Sequence, residues 1–162
     1  MACSTPPTEF VSARLPDGVS VLLRVRRVAE LVALRLSLPS RLAAKSLDEL
    51  LASLTPAARC PRAAGAQQLH RRDLLRAEYG VAHLPGVSTT CLYRALARYA
   101  ILRRTGADAT FVMAVDKSGI AAHGHAWVEL DGIPFEEPDD LTRYTVTFRY
   151  PSSVSSGNVE AP

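Results

Sequence analysis

The hydrophobic period of this chain changes once, at Gly106, and that change constrains the fold more than any other feature. Upstream, apolar residues recur at three- and four-residue steps, the signature of one face of an α-helix. Downstream, short β-rich runs stand between turn signals: 109–116 (ATFVMAVD), 122–130 (AHGHAWVEL), 133–136 and 144–150 (YTVTFRY). Lys117-Ser118-Gly119 and Asp131-Gly132 are the turns, and Asp-Gly between two such runs is a strong hairpin signal. Helices first and antiparallel strands afterwards predict an α+β domain.

Within the helical part, the spacing predicts a helix from Val19 to Leu38, ended by Pro39, with Leu22, Val25, Ala29, Val32 and Leu36 on its apolar face. Arg24, Arg26, Arg27, Glu30 and Arg35 interrupt the apolar run, which excludes an ordinary transmembrane span. Ser46-Leu47-Asp48-Glu49 has the form of a capping box ahead of Leu47, Leu50, Leu51 and Leu54. Residues 55–66 read as a linker, and a further helix over 67–79 is expected to close at Gly80, followed by a loop at Leu84-Pro85-Gly86. The expected organisation is one functional unit: a helical segment over 1–56, a core over 57–150 and a disordered, Ser-rich tail over 151–162.

The charge balance narrows the function classes. Up to Ser118 there are 17 Lys/Arg against 9 Asp/Glu, and from Gly119 on 2 against 7, for a net +3. A basic first part can attract an acidic peptide or partner. With 6% aromatic residues and no recognised module, the chain does not read as a nucleic-acid binder. Cys3, Cys60 and Cys91 lie far apart with no CxxC pair, so neither a zinc site nor a disulfide framework is expected; no cofactor is implied, and a reducing cytoplasm fits best. The opening MACSTPPTEF shows no secretory signal.

Cys91 stands where a helix begins, directly after Thr89 and Thr90, either of which can act as N-cap. Free N–H groups and the positive end of the helix dipole favour a thiolate there, and Arg94 and Arg98 lie near it on the helical wheel. The bland alternative is a small buried core residue, because free cysteine is among the most buried residue types. A nucleophilic cysteine also needs a base, itself oriented by a third group. His70 falls in a charged helix and His83 in a loop, whereas His123 and His125 share a strand face with Trp127 and Glu129, opposite Ala126, Val128 and Leu130. On that face His125 can meet Cys91.

The acid is expected from the segment after the hairpin. A three-residue loop puts Glu137 opposite His125; a two-residue Asp-Gly loop shifts the register, puts Pro138 opposite His125 and brings Glu136 across from Trp127. Glu137, Glu136 and Asp139 are therefore all candidates. Asp131 reads as a turn former and Glu129 as a neighbour of the histidine or a charge partner for arginine.

CLYRALARYAILRRTGADATFVMAV followed by AHGHAWVELDGIPFEE resembles the transglutaminase-like cysteine peptidase of lasso-peptide maturation, over roughly residues 88–137. The upstream RRVAELVALRLSLPSRLA is similar to the N-terminal region of that family, more weakly. The resemblance implies a peptidase with a papain-like core that removes the leader of a ribosomally made precursor peptide. It further implies a separate leader-recognition protein, supplied in trans, and an ATP-dependent cyclase that closes the ring. Carried over, Cys91 matches the nucleophile and His125 the base, while His123 occupies a variable position. Glu137 stands where the family usually has Asp. An acyltransferase or amidase built on the same site, and a non-catalytic scaffold presenting precursor to the cyclase, are the alternatives.

Overall fold

The computed structural model describes residues 17–57, 64–82, 84, 87, 90–117, 123–137 and 140–152. The lead-in through Pro16, Cys3, Cys60, His83, Pro85-Gly86, Thr89, Ser118-Gly119, Pro138, Asp139, the linker residues 58–63 and the tail beyond Ser152 lie outside them, as do the side chains of Leu22 and His70. Among the described residues four α-helices, α1 (Asp17–Ala44), α2 (Leu47–Leu54), α3 (Ala64–Ala82) and α4 (Cys91–Arg104), precede four strands, β1 (Ala109–Asp116), β2 (Gly124–Leu130), β3 (Ile133–Pro134) and β4 (Tyr144–Tyr150). The strands form one antiparallel sheet in the order β3-β2-β1-β4. The α+β reading holds.

Two expectations for α1 are corrected. Pro39 lies inside the helix, which runs on to Ala44. A proline in a helix interior costs about 3 kcal/mol, but burying one leucine side chain returns roughly 1.5–3. Leu38, fully buried, and Leu42, packed against the core, keep the last turns in place. The buried face also differs: Leu31, Leu34, Arg35 and Leu38 are buried, whereas Val25 and Leu36 of the predicted stripe are 61% and 56% exposed. Apolar residues surround this helix, so periodicity alone supports two stripes, and the carboxylate of Glu78 on α3 draws Arg35 inward.

α2 starts at the predicted capping box: the Ser46 hydroxyl accepts from the Glu49 N–H while Glu49 accepts from the Ser46 N–H. Leu50, Leu51 and Leu54 are buried in the same core as Leu31, Leu34 and Leu38. α3 begins three residues earlier than expected and passes through Gly80 to Ala82. A glycine in a helix costs only about 1 kcal/mol, which the burial of Val81 at the next position offsets.

The sheet has two buried faces. Phe111, Ala126 and Val128 join the main core with Leu96, Ala100 and Ile101 of α4. Val112, Ala114 and Trp127 form a second cluster under Leu141 and Tyr144. This alternation, residue by residue along β1 and β2, is the expected period of two.

Candidate active site

Cys91 is the first residue of α4, with Thr90 as N-cap accepting from the Tyr93 N–H. It is a free, partly buried thiol. One turn along, Arg94 extends to Glu137, donating from Nη2 to Oε1 at 3.3 Å. The same oxygen lies 3.2 Å from His125 Nε2. The Glu137 side chain is 1% exposed and that of His125 7%, so this contact is shielded from water and little screened by salt. Residues three apart on a helix have neighbouring side chains, so Arg94 ties the end of the helix that carries Cys91 to the pair formed by His125 and Glu137.

Two aromatic rings stack against the imidazole. Tyr144 stacks on it with ring centroids 5.1 Å apart, and Trp127 at 5.8 Å, each plane within 30° of the imidazole plane. Trp127 is held in turn by donating Nε1–H to Glu129 Oε1 at 3.2 Å, and Glu129 pairs with Arg149 of β4. The strand face His125-Trp127-Glu129 is as the alternation predicts.

Glu137 reaches His125 by a route the register argument did not contain. The hairpin turn has two residues, Asp131 and Gly132, at φ +51° and +78°, and Leu130 pairs with Ile133. Continued pairing in that register would put Pro138 opposite His125. Pairing stops instead at Phe135, whose N–H donates to the Val128 carbonyl, and Glu136 adopts a left-handed φ of +46°. Just past that bend, Glu137 meets the ring.

The bend is clamped from α4. Arg98 Nη1 donates to the carbonyls of Phe135 and Glu136 at 3.1 and 3.3 Å, while its Nε and Nη2 grip Glu78 at 2.8–3.0 Å. Phe135 is buried, with the guanidiniums of Arg71 and Arg98 over its ring. Arg94 and Arg98, expected to raise the potential at the thiol, are thus both engaged with carboxylates. Of the other candidates, Glu136 is exposed and bound to Arg71 at 3.4 Å, and His123 is exposed. Asp131 is the turn former. Tyr144, Glu78 and the Arg98 clamp were not found from sequence: each acts across 19 to 38 residues of chain with no local pattern to mark it, Tyr144 lying 19 residues from His125 and Arg98 38 from Glu136.

Among the described residues no group of three or more His, Cys, Asp or Glu is placed to hold a metal ion. None of the helices, as described, is long and apolar enough to cross a membrane.

Comparison with known proteins gives one positive result. The sequence profile of the transglutaminase-like superfamily matches residues 34–149. No curated protein and no solved structure gives a significant match. The matched span starts inside α1 and contains α2, α3, α4 and the sheet, hence every element that contributes to the site. Members of this superfamily are often cysteine peptidases or acyltransferases. A profile match over residues 34–149, more than half of the chain, makes this chain a member of the transglutaminase-like superfamily.

Proposed function

We propose that the protein is a cysteine peptidase in which Cys91 is the nucleophile, His125 the base and Glu137 the orienting acid. The observation that carries this reading is the shielded contact of His125 Nε2 with Glu137, tied through Arg94 to the first turn of α4. With Nε2 3.2 Å from Glu137 Oε1, the reading gives Nδ1 the proton exchange with the thiol. Cys91 Sγ attacks the scissile carbonyl, His125 takes the thiol proton, and the backbone N–H of Cys91 donates to the developing oxyanion. The C–N bond then breaks as the imidazolium protonates the leaving amine. Water, activated by the same ring, cleaves the thioester and restores the thiol.

The substrate we assign is the leader of a ribosomally made lasso precursor, on the strength of the resemblance across residues 88–137. Cleavage yields the leader as an acid and the core peptide with a free amine, ready for an ATP-dependent cyclase. A separate leader-recognition protein completes the system, and its site of action is the cytoplasm. The superfamily match also accommodates transfer of the acyl group to an amine.

The test is incubation of the cognate precursor and leader-recognition protein with wild type and with Cys91→Ala, read by intact mass. Hydrolysis by the first and none by the second is expected. Cleavage by Cys91→Ala ends the reading, and a product carrying an added amine replaces hydrolysis with acyl transfer.

A further inference from the structure

Arg94, which holds Glu137, also borders a cavity of about 310 Å³ formed by α1, α3 and α4. Arg35, Arg98, Glu78, Leu75 and Tyr79 line it as well. Three guanidiniums therefore face a single carboxylate there, and that carboxylate is committed: both Glu78 oxygens accept from Arg98. Arg35 is left with a distant share, Nη2 lying 3.9 Å from Glu78 Oε1. Its side chain is 3% exposed, and its Nε has no hydrogen-bond partner among the described residues. Burial pushes the Arg35 guanidinium below its ordinary range; Glu78 opposes this, and Arg94 and Arg98 add to it.

A buried cation without a matched partner is costly, and a buried N–H without an acceptor adds to that cost. An anion in the cavity relieves the first. Arg94 supplies the second half of a grip: it is 29% exposed and, among the described residues, has one ion pair, to Glu137, leaving donors of its five N–H groups for a ligand. Leu75 and Tyr79 offer an apolar wall for methylenes.

We propose that this cavity is a carboxylate-binding subsite, in which Arg35 and Arg94 hold an acidic side chain or the free C-terminal carboxylate of a bound peptide. That the peptide is the substrate rests on the peptidase reading above; the affinity of the cavity does not. Because Arg94 serves both features, a carboxylate bound there lies one side chain away from the acid that orients His125.

The experiment is NMR observation of arginine Nε–H resonances of the full chain, titrated with three blocked amino acids. N-acetyl-glutamyl amide carries only a side-chain carboxylate, N-acetyl-glutamine only a terminal one, and N-acetyl-glutaminyl amide neither. A saturable shift of the Arg35 and Arg94 signals with the first or the second identifies the source. Binding of the neutral probe is expected to be at least about tenfold weaker, the loss of one charge-assisted hydrogen bond. Arg35→Gln abolishes the shift, and should that chain fail to fold, Arg94→Gln serves instead. No saturable shift, equal binding of the neutral probe, or binding of inorganic phosphate alone overturns the proposal. A Cys91→Ala chain must bind as wild type does. Binding without any cleavage fails the peptidase reading alone, and cleavage without binding fails this one alone.

Discussion

Arg98 and Glu78 form a buried two-point ion pair between α4 and α3, and the third nitrogen of the same guanidinium holds the two main-chain carbonyls that precede Glu137. One side chain thus joins helix packing to the placement of Glu137. Removing one partner of a buried pair leaves an uncompensated charge, at a cost of about 3–5 kcal/mol. Glu78→Gln is expected to lower the stability of the chain by that amount in chemical denaturation. Glu78→Leu combined with Arg98→Met is expected to recover only part of it: the apolar pair needs no partner, but Arg35 loses its carboxylate and the Phe135 and Glu136 carbonyls lose their donor.

Arg98→Lys separates stability from positioning. A lysine ammonium can keep an ion pair with Glu78 but cannot also reach both carbonyls in the planar fork of arginine. The bend at Glu136 loses its clamp, and small misplacements in an active site cost up to about 100-fold. The expected result is a fall of about 10–100-fold in kcat with KM little changed. A matching fall in kcat/KM caused by KM alone would assign Arg98 to substrate binding.

Much of this arrangement was legible in the sequence, and the failures share a cause. Local signals worked: the Ser46 box, the Thr90 cap, the Asp131-Gly132 turn and the alternation along His125-Trp127-Glu129 each depend on neighbours in the chain. The buried face of α1 was misread because its choice depends on Glu78, 43 residues from Arg35, and Pro39 and Gly80 were read as stops because core packing is invisible to local propensity. Glu137 is the instructive case. The Asp-Gly turn was a correct signal, but the register argument that followed from it pointed to Pro138; a left-handed residue at Glu136 changed the outcome, and no residue type there announced it.

The acid is expected to tolerate some changes and not others. Glu137→Gln keeps the shape but removes the charge that orients and stabilises an imidazolium, so the rate should fall by about 10³-fold or more. Glu137→Asp retains the charge on a side chain one methylene shorter and should lose much less. Single-turnover cleavage of the precursor reads both, and equal effects of the two variants would mean that Glu137 acts through packing alone. Alkylation of Cys91 by iodoacetamide gives a substrate-free check, since His125→Ala is expected to slow it at least about tenfold.

The capping box makes stability depend on pH with a definite sign. The backbone N–H and hydroxyl of Ser46 hold the Glu49 carboxyl below its ordinary range. Because the folded value is lowered, the contribution is fully present above the unfolded-state carboxyl range and is lost as pH falls through the folded value. The stability of wild type relative to Glu49→Gln should therefore be positive at pH 7, constant down to about pH 5.5, and vanish in more acid solution. Asp140, held low by the N–H and hydroxyl of Thr142, acts in the same direction in both proteins and cancels in the comparison. Ser46→Ala should cost about 1 kcal/mol at pH 7.

Pro39 offers a gain. It stands inside α1 without an N–H to donate, in a segment where Leu38 and Leu42 hold the helix against the core. Ser37 and Ser40 on either side bond back to the Leu34 and Ser37 carbonyls through their hydroxyls, so part of the local backbone is served by side chains. Pro39→Ala restores the missing donor and relieves the ring's clash with the preceding turn, worth up to about 3 kcal/mol, less about 1 kcal/mol from the greater freedom of the unfolded chain. A rise in stability of about 1–2 kcal/mol is the expected outcome in denaturant titration. A loss of stability would mean that the packing of Leu38 and Leu42 requires the proline's distortion of the helix.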